Sequence, residues 1–133
     1  MKTSTEILKD VQEYYGKILK TKNDLQTSAC CAADSMPAYL RPYLKNIHEE
    51  VQSRFYGCAS TFPPGLYGKT VVDLGCGSGR DCYLLAQVVG PEGLVIGIDM
   101  TDEQLAVARK HITYHTNEFN LEKPNVDFRK GWI

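Results

Sequence analysis

Thr70-Val71-Val72-Asp73-Leu74-Gly75-Cys76-Gly77-Ser78-Gly79-Arg80 is the segment on which the fold turns. Its first half is a short apolar run, its second half has glycine at alternate positions, and a helical pattern runs from Arg80 to about Val89. A strand opening into Gly-x-Gly-x-Gly at a helix start lets the backbone turn tightly and approach a ligand, because glycine has no Cβ to obstruct it. Downstream, Gly90-Pro91-Glu92-Gly93 makes a turn and Leu94-Val95-Ile96-Gly97-Ile98 reads as a second strand ending at Asp99. Thr101 with Gln104 has capping-box spacing ahead of a helix to about Asn120, with Leu105, Ala108, Ile112 and Phe119 facing inward. After Pro124, Val126-Asp127-Phe128-Arg129 reads as a third strand. The order βαβαβ predicts an α/β fold with a parallel sheet and right-handed crossovers.

Upstream, a helix is expected from about Thr5 to Lys20. Ile7, Leu8, Val11, Tyr14, Tyr15, Ile18 and Leu19 recur at three- and four-residue spacing, and Thr3 with Glu6 has capping-box spacing. Residues 21–37 lack periodicity and read as a loop holding Cys30 and Cys31. A second helix over about 41–56 would bury Leu44, Ile47, Val51 and Phe55, with Pro42 in its first turn. Gly57 and Pro63-Pro64-Gly65 end it. The chain thus divides into a helical, cysteine-containing segment, 1–66, and a partial nucleotide-binding unit, 67–133.

At 133 residues, 43% hydrophobic and 23% charged, the composition is that of one globular domain. A net charge of −1 gives no electrostatic reason to expect nucleic acid or an anionic membrane as partner and suits a small-molecule substrate better. No segment approaches the roughly 20 apolar residues of a membrane span, and the start lacks a signal-peptide pattern, so a cytoplasmic location is expected. There the five cysteines, Cys30, Cys31, Cys58, Cys76 and Cys82, would be free thiols.

A glycine loop alone is weak evidence, since a plain strand-to-helix turn uses the same residues. Here Asp99 ends the next strand 20 positions beyond Gly79, where a carboxylate can accept hydrogen bonds from both ribose hydroxyls. The NAD fingerprint needs a third glycine further on and holds a pyrophosphate at the helix start. The closer spacing here favours S-adenosylmethionine (SAM).

Val71 to Gly79 resembles motif I of class I SAM-dependent methyltransferases, and Ile98-Asp99 resembles the acidic end of their second strand. The resemblance implies a Rossmann-like fold. It also implies that Gly75, Gly77 and Gly79 underlie the methionine and ribose portion of SAM, Asp99 binds the ribose, Met100 flanks the adenine, and Asp73 orients the loop or reaches the methionine end. Asp10 to Gly16, Asp24 to Cys30, Arg54 to Cys58 and Gly79 to Tyr83 are similar, in the same order, to arsenite methyltransferases. Three of these blocks lie outside motif I.

That family methylates trivalent arsenic, a soft centre that prefers thiolate sulfur; converging cysteines would hold its lone pair toward the sulfonium methyl. By family position, Cys30 and Cys58 are the expected arsenic ligands, with Cys31 the alternative to Cys30 because the doubled cysteine leaves the register open. The resemblance also implies a thiol reductant such as glutathione or thioredoxin. Tyr56 would line the same pocket. From the residues alone these cysteines read sooner as two loop thiols and a small buried hydrophobe, and it is the resemblance that reverses the preference. Cys76 and Cys82 are expected to pack, with a redox relay open for Cys82. Structural zinc is disfavoured, because Cys30, Cys31 and Cys58 show neither C-x-x-C spacing nor a fourth ligand.

His111 and His115 are one helical turn apart but lack a metalloprotease glutamate, and read as surface residues. His48, Glu49 and Glu50 read as a solvated helix face. Tyr14 and Tyr15 continue the first helix's apolar stripe, leaving core packing or a contact with SAM open. Class I methyltransferases order their strands 3-2-1-4-5, so a fold truncated after the third strand would leave the first strand as a bare edge, open to self-association. Two outcomes follow: a methyltransferase for arsenite or another small substrate, or a non-catalytic fragment that binds SAM or arsenic.

Overall fold

The computed structural model describes residues 1–20, 36–57 and 62–133. Three parallel strands, β1 (Thr70–Leu74), β2 (Leu94–Asp99) and β3 (Val126–Lys130), form one sheet in the order β1-β2-β3. Val72 pairs with Ile96 and Ile96 in turn with Asp127. The expected strands and their parallel pairing are therefore present, and β1 lies at an edge of the sheet. Outward-facing Val72 and Leu74 on β1 are 52% and 61% exposed.

Helix α4 (Arg80–Val89) covers the other face and is apolar nearly all round, as a helix held between two layers must be. It buries Cys82, Tyr83, Leu84, Leu85, Ala86 and Val89, with Leu40, Ile47 and Val51 in the same core. Burying a side chain of this kind is worth about 1.5–3 kcal/mol relative to exposure. Gly97 on β2 makes room for the packing. A Cβ there would lie 2.8 Å from the Phe128 ring and 2.9 Å from both Cys76 Sγ and Cys82 Sγ.

Helix α1 (Ser4–Glu13) opens with the expected capping box. The Thr3 hydroxyl accepts the Glu6 N–H at 3.2 Å, and Glu6 Oε2 accepts the Thr3 N–H at 2.7 Å. The helix then widens into a π-turn over Tyr14–Ile18. Gly16 is buried in that turn, and a Cβ there would stand 2.6 Å from Glu103 Oε2 and from Thr101 Cγ2. The apolar stripe is only partly covered: Ile7, Leu8 and Ile18 remain 41–58% exposed.

The single helix expected over 41–56 is instead two short ones, α2 (Arg41–Leu44) and α3 (Glu49–Ser53). The break has a clear cause. His48 is extended (φ −55, ψ 139), and its N–H donates to His115 Nε2 at 3.0 Å instead of continuing a helix. Gln52 Nε2 donates to the carbonyls of Leu44 and Ile47, at 3.1 and 2.8 Å, satisfying acceptors beside the break. The helix expected up to Asn120 likewise breaks at His111, giving α5 (Asp102–Lys110) and α6 (Ile112–Glu118). The second capping box is absent: the Thr101 side chain makes no cap bond, and the Gln104 amide reaches the Arg54 carbonyl at 3.3 Å.

The three histidines do not lie on the surface as the sequence suggested. His111 is 6% exposed and His115 1%, and His115 stacks on Tyr83 with ring centroids 3.6 Å apart. His48 stacks on His111 at 3.8 Å, and Glu50 bonds both Lys110 and His111 at 2.9 Å, so these residues form a joint between α3 and α5. Only Glu49 keeps no part in that joint among the bonds of the described residues.

Candidate functional site

The glycine loop is fixed from below and from the side. Gly75 and Gly77 adopt positive φ (77° and 55°), and the N–H groups of Gly75 and Cys76 donate to the Ile98 carbonyl at 2.7 and 3.0 Å. Asp99 holds both neighbouring turns: Oδ1 accepts the Gly77 N–H at 3.1 Å and Oδ2 the Thr101 N–H at 3.0 Å. Each carboxylate oxygen retains a further lone pair for a ligand hydroxyl.

Above the loop lies a cavity of about 260 Å³. Gly75, Cys76, Gly77 and Ser78 form its floor; Asp99, Met100, Thr101 and Gln104 form one side. Arg54, Phe55, Tyr56 and Gly57 form another, and Val11 and Tyr15 close it from the N-terminal helix. Tyr15 therefore faces the site, while Tyr14 packs edge-on against it at 5.3 Å.

Of the residues expected to hold a cofactor, the structure brings Gly75, Gly77, Asp99 and Met100 to the cavity. Gly79 does not line it; at φ 90° it caps α4, and a Cβ there would meet the Phe128 ring at 2.9 Å. Asp73 turns under the loop, where Oδ2 accepts the Cys82 thiol at 3.4 Å and burial pushes its carboxyl up. The Cys82 thiol is also pushed well up, first by its bond with Cys76 and then by burial, which keeps it protonated and suits packing. Cys30, Cys31 and Cys58 lie outside the described residues.

Sequence reasoning missed three side chains that assemble the cavity. Ser78 Oγ donates to the Val51 carbonyl at 2.8 Å, tying the loop to α3. Gln104 Nε2 donates to the Arg54 carbonyl, tying α5 to the same segment. Gln12 Nε2 donates to the Met100 carbonyl at 2.5 Å, joining α1 to the strand end beside Asp99. Gln104 carried a signal, but its spacing from Thr101 pointed to a cap; the others had none.

His48, Glu50 and His111 bring potential ligand atoms within 4.8 Å of one another. Their bonds favour a protein joint over a metal centre. His48 Nδ1 accepts the Glu50 N–H at 3.1 Å, His111 Nε2 meets Glu50 Oε2, and the Lys110 ammonium sits on that same oxygen. Those contacts hold the Glu50 carboxyl down at about 2, the bonds from Lys110 and His111 leading.

A family model described as a methyltransferase domain matches residues 67–133, half the chain, including the loop and Asp99. The chain belongs to the methyltransferase-domain family. It is 57% identical to an arsenite methyltransferase of Aquipseudomonas alcaligenes over 92% of this chain and 35% of that enzyme. An arsenite methyltransferase of Rattus norvegicus is 53% identical over 96% of this chain and 35% of its own length. The crystal structure of an arsenic(III) S-adenosylmethionine methyltransferase from Chlamydomonas reinhardtii superposes with a TM-score of 0.69 at 41% identity. That superposition covers 72% of this chain and 32% of the algal one. This methyltransferase domain thus spans about a third of the length of the relatives it matches. No helix among its described residues is long and apolar enough to cross a membrane.

Proposed function

We propose that this chain is the SAM-binding portion of an enzyme that transfers methyl from SAM to trivalent arsenic. The observation that carries the reading is Asp99: one carboxylate pins both Gly77 and Thr101 at the rim of a cavity floored by the glycine loop. The donor set fits SAM. Gly75 and Gly77 leave the floor bare of side chains, Asp99 offers acceptors to a ribose diol, and Met100 and Tyr15 supply apolar walls for a base. Bound there, SAM supplies an electrophilic methyl on sulfonium.

The substrate would be arsenite or methylarsenite, held by Cys58 together with Cys30 or Cys31. Cys58 follows directly on Gly57, which lines the cavity. Thiolate ligation keeps the arsenic lone pair free for attack, and positioning does most of the work. A thiol reductant of the glutathione or thioredoxin kind would keep those cysteines reduced, a condition the cytoplasm meets.

Calorimetric titration of SAM into the chain and its Asp99→Ala variant tests the cofactor site. Binding lost in the variant supports the reading; no heat with the wild-type chain overturns it. Methylarsenic products from arsenite, SAM and a thiol, lost in Cys58→Ala, would establish turnover by this chain, and their absence despite SAM binding would make it a binding fragment. Pairing of two chains through the β1 edge predicts a dimer in sedimentation; a monomer alone would reject it.

A further inference from the structure

The sulfurs of Cys76, inside the glycine loop, and Cys82, in the first turn of α4, converge beneath that loop. A Cβ on Gly97 would stand 2.9 Å from Cys76 Sγ and 2.9 Å from Cys82 Sγ, so both lean over the same bare α-carbon. The Phe128 ring, 2.8 Å from that point, closes a third side. The two thiols share a hydrogen bond, and both are free cysteines. Cys76 keeps 6% exposure and Cys82 none.

A carboxylate beside the pair makes it more than packing. Asp73 Oδ2 accepts the Cys82 S–H at 3.4 Å. Two thiols that only fill space need no such neighbour, and burying a carboxylate costs free energy. The burial that pushes the Asp73 carboxyl up also makes it a better acceptor for a thiol proton. On the other side, Cys76 Sγ lies 3.8 Å from the Gly77 carbonyl oxygen, and Cys76 itself sits between the positive-φ residues Gly75 and Gly77.

We propose that Cys76 and Cys82 form an oxidation site, which a hydroperoxide converts to a disulfide beneath the glycine loop with Asp73 as the base. Cys76, the more exposed thiol, reacts first. Its sulfur takes one oxygen of the peroxide as the O–O bond breaks, giving a sulfenic acid and an alcohol, or water where the oxidant is hydrogen peroxide. Cys82 Sγ then attacks that sulfur while its proton passes to Asp73. The S–S bond forms, the S–O bond breaks, and the departing hydroxide recovers the proton from Asp73 as water. The thiols are oxidised by two electrons and the peroxide is reduced by two. Closure takes the S–H from Asp73 and turns Cys76 Sγ away from the Gly77 carbonyl, so both sulfur contacts under the loop are lost. Oxidation should therefore weaken SAM binding by about tenfold, the contribution of one hydrogen bond. That consequence rests on the SAM reading above, whereas the disulfide does not.

The test treats the full chain with hydrogen peroxide and maps it with trypsin, which cuts after Lys69, Arg80 and Arg109 and so puts Cys76 and Cys82 on separate peptides. The expected product links 70–80 to 81–109, and dithiothreitol reverses the link. In Cys82→Ala, Cys76 should instead be trapped by dimedone as the sulfenic acid. Asp73→Asn should keep that first step and slow closure by about 100-fold. Cys76 and Cys82 left as thiols while other cysteines oxidise, or linked only to those others, overturns the pair. Closure at the wild-type rate in Asp73→Asn overturns the base. Calorimetry then compares SAM binding by the reduced and the linked chain: a loss that Cys76→Ser does not show supports the effect on the loop, and equal affinity overturns it. Linked peptides from a chain that binds no SAM when reduced would uphold the oxidation site and overturn the cofactor reading alone.

Discussion

Lowering the pH from 7 to 5 should destabilise the protein through His115. This ring is 1% exposed, its Nδ1 lies 2.8 Å from the His111 carbonyl, and its Nε2 accepts the His48 N–H at 3.0 Å. A nitrogen that accepts cannot carry a proton, so Nδ1 holds the single hydrogen and the fold needs the neutral ring. Burial drives its pKa down from 6.5 to about 4; the bond to the His111 carbonyl opposes that and the charges of His111 and His48 reinforce it. Because the folded value lies below the unfolded one, the contribution is complete above pH 6.5 and is lost as pH falls toward 4. Integrated from pH 7 to 5, the loss is about 2 kcal/mol. Urea unfolding at both pH values, on wild type and His115→Gln, isolates the effect, because glutamine offers an acceptor to His48 but does not titrate. The wild-type midpoint should fall about 1 M further than the variant's. Equal falls in both proteins would refute the assignment of the loss to His115.

Three substitutions probe the fold around the cavity. Gly79→Ala meets a φ of 90° and a Cβ 2.9 Å from the Phe128 ring, and should cost about 2 kcal/mol or more by thermal melting; a change under about 0.5 kcal/mol would contradict it. Leu84→Ala removes a fully buried core side chain of α4, with an expected loss of about 3 kcal/mol in urea and no change in slope. Ser78→Ala removes the bond to the Val51 carbonyl in a buried setting, costing about 1 kcal/mol. Amide exchange should then accelerate over 51–57, and unchanged exchange there would show that the tie does not hold α3.

The sheet and its loop were legible because both follow from local rules. Alternating glycines, a β-branched run and an acidic strand end act within a few residues, and Thr70–Leu74 and Leu94–Asp99 appear as expected. The histidine joint was not, because nothing near His115 in sequence reveals that His48, 67 residues away, needs its Nε2 as an acceptor. That bond both buries a residue of polar type and breaks a helix whose periodicity was otherwise sound. Gln104 failed for the opposite reason: its local pattern was a good capping box, and tertiary demand from Arg54 overrode it. The cavity floor and the side made by Asp99 and Met100 could be read from the sequence, whereas the walls from α1 and from the segment after α3 depend on contacts 27 to 88 residues apart.

Helix α3 shows how these distant bonds produce a site. Five residues are too few to sustain a helix alone, so its position is set from outside. At its start, His115 takes the His48 N–H, and Lys110 and His111 hold Glu50; toward its end, Ser78 takes the Val51 carbonyl and Gln104 the Arg54 carbonyl. The segment clamped this way delivers Arg54, Phe55 and Tyr56 to the cavity and leads directly into Cys58. The two ends of α3 are thus one mechanical unit, with the histidine joint on α5 and α6 at one end and the cavity wall at the other. Protonating His115 removes the acceptor at the first end, so acid should weaken the wall at the second before the sheet is lost. The order of those two events follows from where the bonds sit: Asp99 and the loop are anchored to β2, which none of the histidines touches through a hydrogen bond.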